Sequence, residues 1–168
     1  MSTVKCQSDW VVDSCVWRSL YYGQLIESLF GLEVTLHAPD VILDDLYHEP
    51  DPDYLLGLGL DLVSLPGAAV MDAIRQHPEL SAMDASCLVL SRDRGWLLVT
   101  QDRPLYEVAR SEGVEVRDTV WAVEHMVLEG VLARQEALKG LQAMQKKGRV
   151  PRRNWERLVA QWGSSSKT

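Results

Sequence analysis

Asp13, Asp45, Asp84 and Asp102 each stand where an apolar, strand-like run gives way to a run of helical composition, and an acid repeated at such junctions has chemical content. The contexts are Trp10-Val11-Val12-Asp13, Val41-Ile42-Leu43-Asp44-Asp45, Leu80-Ser81-Ala82-Met83-Asp84 and Leu97-Leu98-Val99-Thr100-Gln101-Asp102. In an open α/β sheet the strand ends and following helix starts gather along one edge, where ligands bind, so carboxylates distant in sequence can meet there. Crowded carboxylates repel one another, and a divalent cation relieves that repulsion. Oxygen ligands of this kind suit Mg²⁺ or Mn²⁺, ions that activate water and stabilise phosphoryl oxygens. Each acid also has an ordinary use: Asp13 and Asp102 as helix N-caps, Asp84 as the fourth residue of a capping box opened by Ser81, Asp45 as a solvated helix residue. A capping carboxylate can still hold a metal, so the two uses do not exclude each other.

Five short β-type runs carry these junctions: Trp10–Asp13, Val34–His37, Leu60–Leu65, Trp96–Thr100 and Val114–Arg117. Between them Cys15–Phe30, Asp40–His48, Gly67–Gln76, Asp84–Asp93 and Pro104–Glu112 have helical composition, and this alternation predicts a parallel sheet with helices on both faces. Pro50 and Pro52 predict a loop over 48–53. Beyond residue 118 the pattern becomes helical only. Thr119 can cap one segment, Val131–Gln145 forms a second, and Trp155, Leu158, Val159 and Trp162 share one stripe of a third. The stretch Gly163–Thr168 is expected to fray.

Val11-Val12-Asp13-Ser14, Asp45-Leu46, Leu80-Ser81-Ala82-Met83-Asp84-Ala85-Ser86-Cys87-Leu88 and Leu98-Val99-Thr100-Gln101-Asp102-Arg103-Pro104-Leu105 together resemble the motifs of the PIN-domain family, metal-dependent ribonucleases, over residues 9–125. The family often has Asn two residues after the first Asp; Cys15 stands there in this chain. The resemblance implies a three-layer α/β/α fold with a central parallel sheet of about five strands, residues 1–130 forming the PIN-like domain and 131–168 a helical extension packed on it. It implies a catalytic set of Asp13, Asp45, Asp84 and Asp102, with Asp13, Asp84 and Asp102 holding Mg²⁺ or Mn²⁺ and Asp45 a ligand or water-positioning base. Asp44 and Glu49 compete with Asp45 for that place, and Thr100 is a supporting residue. The implied reaction is hydrolysis of RNA phosphodiester bonds, as in the compact VapC-type toxins of toxin–antitoxin pairs, which are commonly dimeric and held inactive by an antitoxin. Two other readings stand beside it: a PIN-fold binding or scaffold module without turnover, and a structure-specific DNA nuclease.

The net charge of −7 hides a division. Residues 134–157 carry eight basic and two acidic side chains, a segment of +6 against −13 for the rest. Lys146, Lys147, Arg149, Arg152 and Arg153 are its densest part and the candidate RNA contacts; a solvated helix face is the competing use. Composition excludes other classes. With 46% hydrophobic and 24% charged residues the 168-residue chain reads as globular, and no apolar run approaches the ~18 residues of a membrane span. The first residues lack the apolar core of a signal peptide, so a cytoplasmic protein is expected. Cys6, Cys15 and Cys87 have no metal-ligand spacing, and reduced thiols are expected. His37, His48, His77 and His125 form no metal motif, and a haloacid dehalogenase-type phosphatase would need a second Asp where Cys15 stands.

Overall fold

The computed structural model describes residues 7–163. Five strands form one sheet: β1 (Asp9–Val12), β2 (Thr35–Pro39), β3 (Asp61–Val63), β4 (Leu97–Val99) and β5 (Val116–Arg117). Their order is β3-β2-β1-β4-β5 and every pairing is parallel. Strands buried on both faces must be apolar throughout, which is how Trp10-Val11-Val12 and Leu97-Leu98-Val99 read; all six are buried. The chain builds outward from β1 to β3, then returns to the other side of β1 for β4. The carboxyl ends of β1 and β4 therefore flank the point where the winding reverses, the place where open α/β sheets form a crevice.

The helices are α1 (Ser14–Gly23), α2 (Ile26–Phe30), α3 (Ile42–Asp45), α4 (Pro52–Leu58), α5 (Gly67–Gln76), α6 (Ala82–Arg94), α7 (Arg103–Ser111), α8 (Thr119–Leu128), α9 (Arg134–Lys146) and α10 (Arg152–Gly163). Helix α6 crosses β1, β2 and β4, with α5 and α7 beside it. Its unbroken buried run from Ala85 to Ser91 fits a helix enclosed on most of its circumference. Helix α1 packs on α9, which also meets α8 and α10. Among the described residues no helix is long and apolar enough to cross a membrane.

Several sequence expectations shift for local reasons. The helix expected over 15–30 breaks at Gln24, whose φ of 57° caps α1 while its N–H closes on the Leu20 and Tyr21 carbonyls. The helix expected over 40–48 shrinks to α3. The loop expected over 48–53 ends early, because Pro52 takes the first helical position of α4, where a missing N–H costs nothing, and Asp51 caps by accepting from the Asp53 N–H at 3.0 Å. Asp118, not Thr119, caps α8, accepting from the Trp121 N–H at 2.8 Å. Leu158 and Trp162 of the last stripe are buried and Trp155 and Val159 half-buried. Cys6 and residues 164–168 lie outside the described residues.

Helices α1 and α9 touch through two glycines. A Cβ at Gly140 would stand 2.6 Å from Leu25 Cδ1 and 2.9 Å from the Gly23 carbonyl oxygen, and one at Gly23 would meet the Met144 methyl at 2.6 Å. The backbones thus approach as only glycine permits. Gly140→Ala should raise intrinsic helix propensity by up to ~1 kcal/mol yet destabilise the fold by about 1–3 kcal/mol through overpacking. Urea denaturation of the variant checks this; equal or greater stability would show that α9 can move off α1 freely.

Candidate active site

Asp13 follows β1 directly, and its N–H continues the ladder by donating to the Val99 carbonyl at 3.0 Å. The side chain is 2% exposed, so its carboxylate must be satisfied from within. Oδ1 accepts from the Ser14 N–H at 2.8 Å, making Asp13 the N-cap of α1. Oδ2 accepts from the Thr100 hydroxyl at 2.9 Å and from the Cys15 thiol at 3.1 Å. Cys15, at the position where the family often has Asn, thus keeps a polar role through a weak donor. Burial first, then the Asp13 charge, pushes its thiol well above the usual range and keeps its proton on. Burial pushes Asp13 itself up to about 6, the Asp84 charge adding to it while the Cys15, Thr100 and Ser14 bonds oppose.

Thr100, fully buried at the end of β4, joins two of the acids. Its hydroxyl donates to Asp13 and accepts from the Asp102 N–H at 3.1 Å. Asp102 caps α7, Oδ1 accepting from the Leu105 N–H at 3.0 Å. Asp84 is the third helical residue of α6, in a capping box with Ser81 whose two reciprocal bonds each measure 3.1 Å. Partial burial raises the Asp84 pKa, and the Asp102 and Asp45 charges raise it further against the Ser81 bonds. Three caps from different parts of the chain thus share one electrostatic neighbourhood.

Asp45, the last residue of α3, meets Arg18 of α1: Nη2 lies 3.3 Å from its carboxylate and also donates to its backbone carbonyl. Of its competitors, Asp44 is exposed and Glu49 accepts from the Tyr22 hydroxyl at 2.6 Å, while Asp45 acts on Asp84. The Arg18 contact escapes sequence reading because α1 and α3 meet only through the fold. Gln101 escapes it too. Its amide oxygen accepts from Ser19 at 3.0 Å and Thr119 at 2.5 Å, and its nitrogen donates to the Arg149 carbonyl at 3.1 Å, tying the α9–α10 turn to the acid edge.

Of the basic residues, Lys147 and Arg149 stand over the Tyr22 ring at 5.0 and 5.5 Å, Arg152 pairs with Glu156 at 2.7 Å, and Lys146 and Arg153 are exposed. A second group lies toward the opposite end of the strands: His37 between Asp9 and Asp61, at 2.9 and 2.7 Å, stacked on Trp96.

The all-parallel sheet in the order β3-β2-β1-β4-β5, with helices on its faces, matches the PIN-domain fold. A PilT N-terminus domain protein from the hyperthermophilic archaeon Sulfolobus solfataricus, SSO1118, superposes with a TM-score of 0.52 at 12% identity, over 70% of this chain and 92% of that one. The protein PAE2754 from Pyrobaculum aerophilum gives 0.56 at 16% identity, over 71% and 96%. No family profile matches the sequence. No curated protein matches it either.

The Asp13 environment sets a pH dependence. A carboxyl whose folded pKa is raised contributes stability fully present below its unfolded value near 3.8 and lost as pH rises through about 6. In chelator, stability should therefore fall by ~3 kcal/mol between roughly pH 4 and 6, since each unit is about 1.36 kcal/mol. Asp13→Asn should remove most of that fall, because Asp84 retains only its own share. Denaturant titrations across pH check the slope; an identical fall in the variant would place its origin elsewhere.

Proposed function

We propose that this protein is a metal-dependent nuclease that hydrolyses RNA phosphodiester bonds. What supports this reading is that Asp13 and Asp102 follow β1 and β4 and share the Thr100 hydroxyl, that the Asp84 charge acts on Asp13 while Asp102 and Asp45 act on Asp84, and that Arg18 pairs with Asp45. The donor chemistry fits a hard divalent cation: a buried carboxyl and a half-buried one, both held protonated more readily than usual by burial and by neighbouring acids. Among the described residues no three His, Cys, Asp or Glu side chains already form a metal-sized cage, so the fit lies in the donor set and not in a preformed geometry.

Asp13, Asp84 and Asp102 are the residues that would hold Mg²⁺ or Mn²⁺. When bound, such an ion supplies Lewis-acid polarisation of a phosphoryl oxygen and lowers the pKa of water. The protein's own part is positional. Thr100 fixes the Asp13 carboxylate and the start of α7 together, the capping box fixes Asp84, and Arg18 holds Asp45, which orients the attacking water. Lys146, Lys147, Arg149, Arg152 and Arg153 supply phosphate contacts for the strand. The same acid edge is the surface an antitoxin would cover if the protein is a toxin, and a homodimer is part of that proposal; mass determination alone and with the product of any adjacent small reading frame tests both.

Chelation should abolish cleavage of single-stranded RNA and Mn²⁺ or Mg²⁺ should restore it, while Asp13→Asn or Asp84→Asn should lower the rate by orders of magnitude in a folded protein. The cation should also stabilise the fold, by ~2.7 kcal/mol at a hundredfold excess over Kd, with the effect lost in Asp84→Asn. Full activity in excess EDTA overturns the reading. A bound cation with no turnover on RNA or on flap DNA would instead make the protein a binding module.

A further inference from the structure

Beside the acid edge lies a cavity of about 720 Å³ between the start of α7, the start of α8 and the α9–α10 turn. Its size falls within the roughly 300–1,000 Å³ of small-ligand sites. Thr100, Gln101 and Arg103, the neighbours of Asp102, line it, so the cavity adjoins the acid edge. Arg103, Arg149 and Arg153 reach it from two separate parts of the chain. Arg103 and Arg153 are exposed and make no side-chain hydrogen bond or ion pair among the described residues, whereas Arg18, Arg152 and Arg157 are each engaged by an acid. Tyr106 lines the same cavity, half-buried against the core and without a ring partner among the described residues. Asn154 lines it as well.

We infer that this cavity seats one nucleotide of a single-stranded RNA whose scissile phosphate lies at the acid edge. The adjoining phosphates meet Arg103 and Arg153, with Arg149 behind them; the base stacks on Tyr106; Asn154 hydrogen-bonds the base edge or ribose. Guanidinium forks match phosphate oxygens, and any base offers a π-face to a tyrosine once it has left its pairing partner. Gln101 holds the Arg149 backbone, which fixes one wall relative to Asp102. Glu107 and Asp118 share the lining and repel any anion alike; a nucleotide offsets this where an acidic peptide does not, because its base amino groups can donate to those carboxylates. The substrate class rests on the nuclease reading; the seat itself rests on the cavity.

The test is fluorescence anisotropy with the full chain and a labelled single-stranded RNA of roughly ten nucleotides, in EDTA, over a range of salt. The double variant Arg103→Ala, Arg153→Ala should flatten the salt dependence by ~1.4 in slope, about 0.7 for each phosphate no longer neutralised. Tyr106→Ala should weaken binding about tenfold or more with the slope unchanged, and Tyr106→Phe should bind like the wild type. Asp84→Asn should still bind. An unchanged affinity in Tyr106→Ala, or an unchanged slope in the arginine pair, overturns the seat. Displacement of the RNA by a poly-aspartate peptide at equal concentration also overturns it, and makes the face a protein contact. If Asp84→Asn cleaves like the wild type while the pocket variants lose binding, the catalytic reading falls and the nucleotide seat stands.

Discussion

Everything at the acid edge depends on keeping one carboxylate, Asp13, at a place almost closed to water. Burying an unpaired charge costs several kcal/mol, so the surrounding chain must supply donors. It supplies them from four groups: the first amide of α1, the thiol of Cys15 in that helix's first turn, at 3.8 Å the thiol of Cys87 in α6, and the Thr100 hydroxyl at the end of the neighbouring strand. The parallel pairing of β1 with β4, Val12 opposite Val99, brings the last of these into reach. A shift in that register would leave Asp13 without one of its donors, so the sheet's alignment and the site's electrostatics are one constraint.

The balance struck is deliberately incomplete in its charge. Hydrogen bonds lower the Asp13 pKa, yet burial and Asp84 outweigh them. Asp84 shows the same ordering, its cap bonds outweighed by burial and by two further acids. Arg18 engages Asp45, at the rim, and among the described residues no arginine or lysine ion-pairs with Asp13, Asp84 or Asp102. Such uncompensated charge lowers the stability of the fold, and acids held in this way are the general signature of functional sites, where stability is given up for chemistry.

How much of this could be read from the chain depends on whether the cause was local. Asp84 was legible because Ser81 stands three residues before it, a spacing that dictates a capping box wherever a helix starts. Asp13 and Asp102 were legible as acids between an apolar run and a helical one, and the sheet was legible from five apolar runs at alternating spacing. The break at Gln24 was not, since the left-handed cap falls on a glutamine, a residue with little preference for positive φ, beside a glycine that itself stays in the helix. Helix α4 is hidden for the opposite reason: two prolines close together read as a loop, yet a proline at the first helical position starts a helix. Arg18, Gln101 and the cavity at Tyr106 were beyond sequence reading because each is made by elements that meet only once the chain has folded.

Gln101 is the residue through which the helical C-terminal part becomes a matter for the site. Its side chain is bound by Ser19 of α1 and Thr119 of α8 and in turn binds the Arg149 carbonyl, so two helices and the α9–α10 turn are referenced to one amide. The turn carries the densest positive charge in a chain that is otherwise acidic, and long side chains with that much rotamer freedom gain little from unaided surface pairing. Fixing their backbone from Gln101 and seating Lys147 and Arg149 over Tyr22 reduces that freedom before any ligand arrives. The basic segment is thereby held beside the acids instead of spread over them, so that Asp13, Asp84 and Asp102 keep their negative charge uncompensated by its lysines and arginines among the described residues.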